Sequence, residues 1–406
     1  ITLALDSATF CHADSNLPCA QWNASAEGWP TALPGALPAP GATALPVPLI
    51  STTDKGWHIG YDIFGLTYWM LARQEEIRRT DLDNHGRFPA IASHAYQHGY
   101  LERPIVDEWL HVLGKVIDRT WPGIELTQHQ FSMKVSHDVD SPSMYAFKSW
   151  TTIVRMMAGH ALKRHDWRAF CTAPWVKLAS TKTLHPADPF NTFDWLMDVS
   201  EAHNLTSAFY FICGRTSNMD ADYEPEHPVI RALMRRIYGR GHEIGLHSSY
   251  GTYQKPELIA QEAHRLRTVL AEENIQQSAI GGRMHYLRWE QATTLQAWND
   301  AGMTYDSTLG YADRPGFRCG TCFEYPAYNP KNNQSLKIRI RPLIAMECSV
   351  IDSVYLGLSQ PELAKDKFIN LKKHCQALKG TFTVLWHNSY LLQNEIYKNL
   401  YKDILN

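Results

Sequence analysis

An apolar run leads into two carboxylates in the stretch Phe131-Ser132-Met133-Lys134-Val135-Ser136-His137-Asp138-Val139-Asp140. The run predicts a strand, and residues two apart on an extended chain point to the same side. We therefore expect Asp138 and Asp140 to reach one small volume. That arrangement suits a metal site in which one carboxylate binds the ion and the other takes a proton. A turn after a strand is the alternative, because Asp-Val-Asp-Ser-Pro is also typical of turns.

Strand-like and helix-like runs alternate from residue 130 onward. Such alternation indicates a parallel sheet with helices outside it. The number of runs favours a closed or nearly closed α/β barrel over a small open sheet. The predicted strands are 131–137, 206–213, 243–247, 278–285, 303–305 and 381–387, and the predicted helices are 190–203, 227–238, 255–273, 289–301 and 361–378.

The first 128 residues differ in composition from the residues after 130 and predict a separate, smaller module. Residues 1–50 are rich in Ala, Pro and Gly, which predicts an irregular, mostly extended segment. Apolar residues at helical spacing predict helices over 62–79 and 103–119, the second opened by Pro104. We therefore expect two domains, residues 1–128 and 129–406.

Composition excludes several classes of protein. The chain has 406 residues, 44% of them hydrophobic, and a net charge of -2, which does not suggest a nucleic-acid surface. No run reaches the roughly 18 apolar residues of a membrane span. The first residues lack the basic region and apolar core of a signal peptide, so we expect a cytoplasmic protein without a transmembrane segment.

Eight cysteines in a chain of this length do not indicate a disulfide scaffold. The single Cys-x-x-Cys pair, Cys319 and Cys322, has no second pair to complete a structural zinc site. We interpret the two as loop thiols, with a disulfide or redox role as the alternative.

Polar groups that can do chemistry lie at the ends of five predicted strands. In α/β barrels the active site lies where strands end, so these groups are expected to meet. A lone histidine near a strand end is usually structural, and one or two of these are expected to be so. His242 is five residues before His247 and therefore faces the other side of its strand. The strand-end groups are Asp138 with Asp140, His247, His285, Asp306 and His387.

This set predicts metal-assisted hydrolysis of an acyl group. Asp140 and His247 are suitable ligands for a divalent ion such as Zn²⁺. Asp138 is the candidate base for the attacking water, and His387 is the candidate acid for the leaving nitrogen or oxygen. Arg283 is expected to hold Asp138 ionised or to bind substrate through a forked hydrogen-bonded pair.

These residues resemble the motifs of the polysaccharide deacetylase (NodB-homology) superfamily over residues 131 to 390. Asp138 and Asp140 match its base and metal-binding aspartates, and the segment 241–248, Gly-His-Glu-Ile-Gly-Leu-His-Ser, matches its second motif. Arg283 matches the third motif, and Leu385 with His387 the last. The resemblance implies a distorted (β/α)7-type barrel, a divalent metal, most often Zn²⁺, and deacetylase activity.

One position departs from that pattern. The superfamily's second metal histidine lies four residues after the first, where this chain has Gly251. A catalytic zinc usually has about three protein ligands. His285 is the first candidate substitute and His137 the second, although strand parity turns His137 away. A packed or substrate-contacting role for His285 is the alternative.

The wider sequence resembles a branch of the superfamily that carries an extra N-terminal module, by the motifs at 83–89 and 103–109. That resemblance implies a bacterial enzyme that deacetylates an amino sugar in a surface polysaccharide, a glycolipid or a precursor. The alternatives are a non-catalytic glycan-binding protein on the same fold and a hydrolase of a non-carbohydrate C–N bond. Candidate substrate contacts, with packing as their alternative, are Asp306, Arg318, Tyr286 and Trp289.

Overall fold

The structure, a computed structural model, describes residues 1–12, 16–54, 56–392 and 394–406. The chain forms two compact units. The first unit comprises residues 1–133, 287–296 and 307–384, and the second comprises 134–286, 297–306 and 385–406. Residues 1–133 share their compact unit with later segments of the chain. The division into consecutive domains at 1–128 and 129–406 therefore stays a prediction.

Strands and helices alternate along most of the chain. The strands are β1 (Thr2–Leu3), β2 (Cys19–Trp22), β3 (Leu37–Pro40), β4 (Ile50–Thr53), β5 (Gly56–Ile59), β6 (Ser132–Val139), β7 (Ser207–Ile212), β8 (Glu243–Ser248), β9 (Gly282–Met284), β10 (Tyr305–Asp306), β11 (Tyr325–Asn329), β12 (Gln334–Ile340), β13 (Ala345–Met346) and β14 (Thr381–Leu385). The helices are α1 (Ser7–Phe10), α2 (Ile63–Leu71), α3 (His94–Gln97), α4 (Ile105–Thr120), α5 (Trp150–Leu162), α6 (Trp167–Ala179), α7 (Phe193–Ala202), α8 (Pro228–Gly239), α9 (Pro256–Glu272), α10 (Thr294–Asp300), α11 (Glu347–Ile351), α12 (Pro361–Ala377) and α13 (Glu395–Leu405).

The predicted α/β class is confirmed. In the second unit, β6 to β10 form a stretch of parallel sheet in the order β10-β9-β8-β7-β6, and in the first unit β11 pairs with β12 in an antiparallel hairpin. Every residue of β7 is buried, as expected of a strand covered on both faces. In the described part of the chain, no helix combines the length and apolar character needed to cross a membrane.

Five parallel strands of the second unit set the position of the polar strand ends. Strands β6 to β10 are in register, so that Val139, Phe211, Leu246, Gly282 and Asp306 form one row across the sheet. Strands β8 and β9 approach each other closely in this row, because a Cβ on Gly282 would lie 1.8 Å from the Leu246 carbonyl oxygen. The carboxyl ends of parallel strands meet at one edge, so side chains just beyond this row lie together.

In the first unit, α4 packs Trp109 on the two-stranded sheet of β2 and β3. Trp109 stacks on Trp22 with ring centroids 5.5 Å apart, and its indole N–H donates to the Pro38 carbonyl. The proline-rich segment holds β3 because each strand of a two-stranded sheet has a free edge that tolerates proline. The described residues of 1–50 thus contain short strands and the short helix α1 where an irregular, mostly extended segment was predicted.

Several element boundaries differ from those predicted. The helix predicted over 62–79 ends at Leu71, and Arg73 then adopts a left-handed conformation with φ 52°. The predicted strand 278–285 is confined to β9, and the predicted helix 289–301 to α10. Helices α5, α6 and α13 and the hairpin of β11 and β12 had no predicted counterpart. Cys319 and Cys322 are free, buried thiols, as interpreted.

Candidate metal centre

Three ligand-type side chains converge at the carboxyl ends of β6, β8 and β9 in the second unit. Asp140, His247 and His285 each offer one ligand atom, and these atoms all lie within 4.8 Å of one another. The Asp140 Oδ1 atom lies 3.2 Å from Nε2 of His247 and 3.7 Å from Nε2 of His285. We call these three residues the donor cluster, and it is a group that can hold a metal ion.

The second ring nitrogen of each histidine is held by a neighbour that can only accept. Nδ1 of His247 lies 2.9 Å from the Arg283 carbonyl oxygen, and Nδ1 of His285 lies 3.0 Å from Oδ1 of Asp220. Both Nδ1 atoms therefore carry the proton in these hydrogen bonds. In the neutral rings, both Nε2 lone pairs then face the cluster.

The buried Oδ1 atom of Asp140 has no hydrogen-bond donor among the described residues. Two histidine lone pairs and a carboxylate oxygen repel one another unless a proton or a cation lies between them. Asp138 and Asp140 raise the pKa of His247, although burial by itself would lower it. The donor set, two imidazole nitrogens and one carboxylate, fits a divalent ion such as Zn²⁺.

Gly251 occupies the position where the resemblance leads one to expect a third ligand. A Cβ there would lie 2.7 Å from both Cβ and Oγ1 of Thr216, and the Gly251 amide donates to that hydroxyl at 2.7 Å. This site has no room for an imidazole. His285, which follows β9, brings the third donor to the cluster from another strand.

Asp138 lies beside the donor cluster and is buried. Its Oδ1 accepts from Arg283 Nη1 at 2.7 Å, and its Oδ2 lies 3.5 Å from Nε2 of His247. Burial alone would raise the pKa of Asp138, but Arg283 and then His247 outweigh it and lower the pKa. Arg283 is itself held by Ser136 Oγ at 3.0 Å, so Asp138 remains an ionised carboxylate in a fixed place.

His387 follows β14 and reaches the same carboxylates. Its Nε2 lies 3.6 Å from Asp140 Oδ2 and 4.0 Å from Asp138 Oδ2. Its side chain is 15% exposed, whereas those of His247 and His285 are 1% and 4% exposed. Of the three imidazoles, His387 is therefore the one that faces solvent.

Asp220 was missed in the sequence analysis. It lies in the loop between β7 and α8, and its side chain is buried. Besides His285, its carboxylate accepts from the backbone N–H groups of Thr216, Ser217 and Tyr250. Burial would raise the pKa of Asp220, but His285 and these donors lower it. The one local signal is the Thr-Ser-x-x-Asp spacing, typical of a loop closed by side-chain-to-backbone bonds.

His137 was the second candidate ligand, and the structure assigns it elsewhere. Its Nδ1 donates to the Trp386 carbonyl at 2.7 Å, and its Nε2 lies 3.3 Å from Ser207 Oγ. Burial lowers the pKa of His137 to about 3. With both nitrogens occupied on the far face of β6, it is a neutral core histidine. His242 likewise bonds the Ser207 amide and lies 3.2 Å from Glu201.

Two of the candidate substrate contacts belong to the second unit. Tyr286 adopts φ 61° and packs its ring 4.8 Å from His285 and 5.3 Å from Tyr250. Asp306 ends β10 in the row described above and is fully buried. Substrate binding by either stays a prediction.

Arg318 and Trp289 belong to the first unit, and the structure does not place them in the donor cluster. The Arg318 guanidinium lies 2.6 Å from Glu76 and donates to the Gly310 carbonyl at 2.8 Å. It lies over the Trp289 ring, 5.5 Å from its centroid, and both residues are buried. Their surroundings favour the packing alternative, because protein atoms already take up the guanidinium.

Comparisons with known proteins find similarity over parts of the chain. Residues 9–122 match a family of unknown function, DUF7033, and no curated protein matches the chain. A Mycobacterium smegmatis protein provisionally described as a polysaccharide deacetylase aligns over 68% of this chain and 86% of its own, with 15% identity and a TM-score of 0.40. Puue allantoinase aligns over 70% of this chain and 85% of its own, with 11% identity and a TM-score of 0.40. At these values the likeness does not extend to activity or substrate.

Proposed function

We propose that this protein is a metal-assisted hydrolase that removes an acetyl group from an amino sugar, as a member of the polysaccharide deacetylase superfamily. The observation that carries the proposal is the donor cluster, with its ligand atoms within 4.8 Å and an ionised Asp138 beside it. A site with three ligands and an adjacent carboxylate is typical of metal-assisted hydrolysis.

Asp140, His247 and His285 would hold the ion, most suitably Zn²⁺ given two nitrogen ligands and one oxygen ligand. When bound, a divalent ion supplies Lewis-acid chemistry, polarising an acyl carbonyl and making water more acidic. Asp220 and the Arg283 carbonyl fix the tautomers of the two histidines, so their Nε2 atoms stay directed inward.

Asp138 is the group that accepts the proton of the attacking water. It has an oxygen, Oδ2, that faces the donor cluster, while Oδ1 is taken by Arg283. The charge of Arg283 keeps this buried carboxylate ionised and therefore able to act as a base. Arg283 also fixes its orientation through the bond to Ser136.

His387 is the group that delivers a proton to the leaving nitrogen or oxygen. Its Nε2 lies 4.0 Å from Asp138 Oδ2 and 3.6 Å from Asp140 Oδ2, close to both carboxylates. A protonated imidazole is stabilised by two nearby carboxylates. Its partial exposure lets it exchange protons with solvent after each turnover.

The substrate class is inferred from the motif resemblance and from aromatic rings next to the cluster. Tyr286 and Tyr250 pack edge to face beside His285, and aromatic faces suit the apolar faces of sugar rings. An N-acetyl or O-acetyl group on an amino sugar of a surface polysaccharide, glycolipid or precursor fits a polar site of this kind.

The test is acetate release by purified protein from a panel of N-acetylated and O-acetylated hexosamine oligomers and lipid-linked sugars, with cyclic amides included. We expect release that chelation abolishes, that Zn²⁺ restores and that Asp138→Asn loses. Turnover of cyclic amides alone would support the non-carbohydrate hydrolase. Glycan binding without turnover under any metal would support the non-catalytic alternative.

A further inference from the structure

Helices α5 and α6 of the second unit form a hairpin that exposes large apolar side chains. Of the 13 tryptophans in the chain, four are exposed, and three of these lie on the hairpin. Trp150 is 49%, Trp167 63% and Trp175 62% exposed. We call residues 148–182 the tryptophan hairpin.

The exposed side chains follow helical spacing. On α5, Trp150, Val154 and Leu162 recur at multiples of four residues, and Leu162 is 77% exposed. On α6, Trp167, Trp175 and Leu178 recur at spacings of eight and three. Each helix therefore presents one apolar stripe to solvent. An exposed cluster of this kind on a protein surface marks an interaction site.

The inner faces of the two helices are satisfied separately. Ile153 of α5 packs with Ala173 and Val176 of α6 and with Tyr145 in one buried cluster. The outward stripes are thus not needed to hold the hairpin together, because the helices already bury an apolar face against each other. Apolar side chains that the fold does not bury are free to serve a partner.

The charge of the tryptophan hairpin is opposite to that of the chain. Residues 148–182 carry seven lysines and arginines and one aspartate, whereas the whole chain has a net charge of -2. Five of the cations are exposed, and none of the five forms an ion pair with a described residue. They are Arg155, Lys163, Arg164, Arg168 and Lys182.

We infer that the tryptophan hairpin docks the protein on the surface of an anionic lipid bilayer. Helices that combine exposed Trp and Leu with unpaired Lys and Arg bury their apolar stripe at the headgroup boundary while the cations contact anionic headgroups. Each helix has 13 residues, fewer than the roughly 20 needed to span a bilayer. The hairpin therefore lies on the membrane.

Charge decides for a bilayer over a protein partner. Protein interfaces are depleted in lysine at their centre, whereas here Lys163 and Arg164 directly follow Leu162 between the two stripes. Tryptophan favours the boundary between water and hydrocarbon, where its indole N–H remains hydrated. Both features recur in segments that lie at the surface of anionic membranes.

The test is co-sedimentation of the full chain with phosphatidylcholine vesicles, with and without phosphatidylglycerol. We expect pelleting only with the anionic vesicles, and release as the salt concentration rises. Trp167→Ser with Trp175→Ser, and separately Lys163→Glu with Arg164→Glu, should each weaken binding about tenfold or more. All substituted side chains are exposed, and circular dichroism verifies that the variants fold.

Matched variants elsewhere on the surface serve as controls. Trp121→Ser removes a tryptophan that is 46% exposed in the first unit, and Lys331→Glu with Lys373→Glu reverses two exposed charges there. Both should pellet like the parent protein. The proposal is overturned if the parent protein stays in the supernatant with anionic vesicles, or if hairpin variants and controls bind alike. Self-association that Trp167→Ser with Trp175→Ser abolishes, without lipid binding, would assign the surface to a second copy.

Discussion

The Asp220 carboxylate holds His285 by its Nδ1 atom at 3.0 Å and leaves the Nε2 atom facing Asp140. A carboxylate behind a ligand histidine fixes the tautomer and orientation of the ring and makes it a stronger ligand. His285 comes from β9 and not from the segment after β8 where the motif resemblance would put it. His285, held by Asp220, therefore supplies the third donor that Gly251 cannot supply.

Asp220→Asn should weaken Zn²⁺ binding about 10- to 100-fold without unfolding the protein. The asparagine oxygen can still accept from the Thr216 and Ser217 amides, but its NH2 group replaces the Oδ1 atom that faces His285, so it no longer attracts the Nδ1 proton. Isothermal titration calorimetry measures the affinity. Asp222→Asn, two residues on and paired with Lys148, is the matched control and should bind like the parent protein. Equal affinities for both variants would remove Asp220 from this role.

Arg283→Met should destabilise the protein by about 3–5 kcal/mol, because it leaves the buried Asp138 carboxylate without its cation. The pKa of Asp138 should rise, so the acid limb of the rate profile should move to higher pH. Arg283→Lys keeps the charge but loses the forked geometry. Its stability and the position of its acid limb should therefore lie between those of the parent protein and of Arg283→Met. Urea unfolding and a pH–rate profile measure these effects. An unmoved acid limb in Arg283→Met would show that Asp138 is not the base.

Gly251→Ala should destabilise the protein by about 1–3 kcal/mol, since the added Cβ would lie 2.7 Å from Thr216. Adding Thr216→Gly should recover much of the loss by removing the atoms that clash. Gly239→Ala is the control, because no heavy atom lies within 4 Å of its Cβ and alanine is the better helix residue. Thermal unfolding of the parent protein and of these three variants is the measurement. A neutral Gly251→Ala would mean that the segment after β8 can accept a side chain.

Glu262 of α9 should make stability depend on pH. It accepts from the Ser249 amide at 2.8 Å and from the Ser249 hydroxyl, but burial outweighs these bonds and raises the pKa of Glu262 from 4.5 to about 7. A carboxyl whose pKa is higher in the folded state stabilises the fold below its unfolded pKa, and this stability is lost as the pH rises through the folded value.

Glu262→Gln should accordingly reduce the fall in unfolding free energy between about pH 5 and pH 8 by about 2 kcal/mol. Urea unfolding at both pH values gives the difference. Glu257→Gln, at an exposed position of the same helix, should leave the fall as in the parent protein. The same fall in Glu262→Gln and in the parent would assign the pH dependence to other groups.

Strand parity predicted the part of the candidate site that depends on backbone geometry alone. Residues two apart on an extended chain share a side, which brings Asp138 and Asp140 together. The pairing of His247 with Arg283 depends instead on the register of β8 with β9, which was not predicted. Parity also turned His137 and His242 away, and both prove to be core histidines. These relationships repeat every two residues and can be deduced from any strand.

Strand parity could not predict the role of Asp220 or the tryptophan hairpin. The contact of Asp220 with His285 depends on the path of the loop between β7 and α8, which no periodicity describes. Apolar residues of α5 and α6 lie both on the solvent-facing stripes and on the faces buried between the two helices, so the sequence gave no clean amphipathic signal. Arg318 was predicted to contact substrate because it is a planar hydrogen-bond donor, but within the first unit it forms an ion pair with Glu76.

Elemental analysis of the purified protein, loaded with Zn²⁺ and then dialysed, tests the donor cluster most directly. We expect one equivalent of metal per chain in the parent protein and in His264→Ala, which changes an exposed histidine of α9. His285→Ala should lose the metal while remaining folded by circular dichroism. A parent protein that retains no metal, or a His285→Ala variant that retains a full equivalent, would contradict the account.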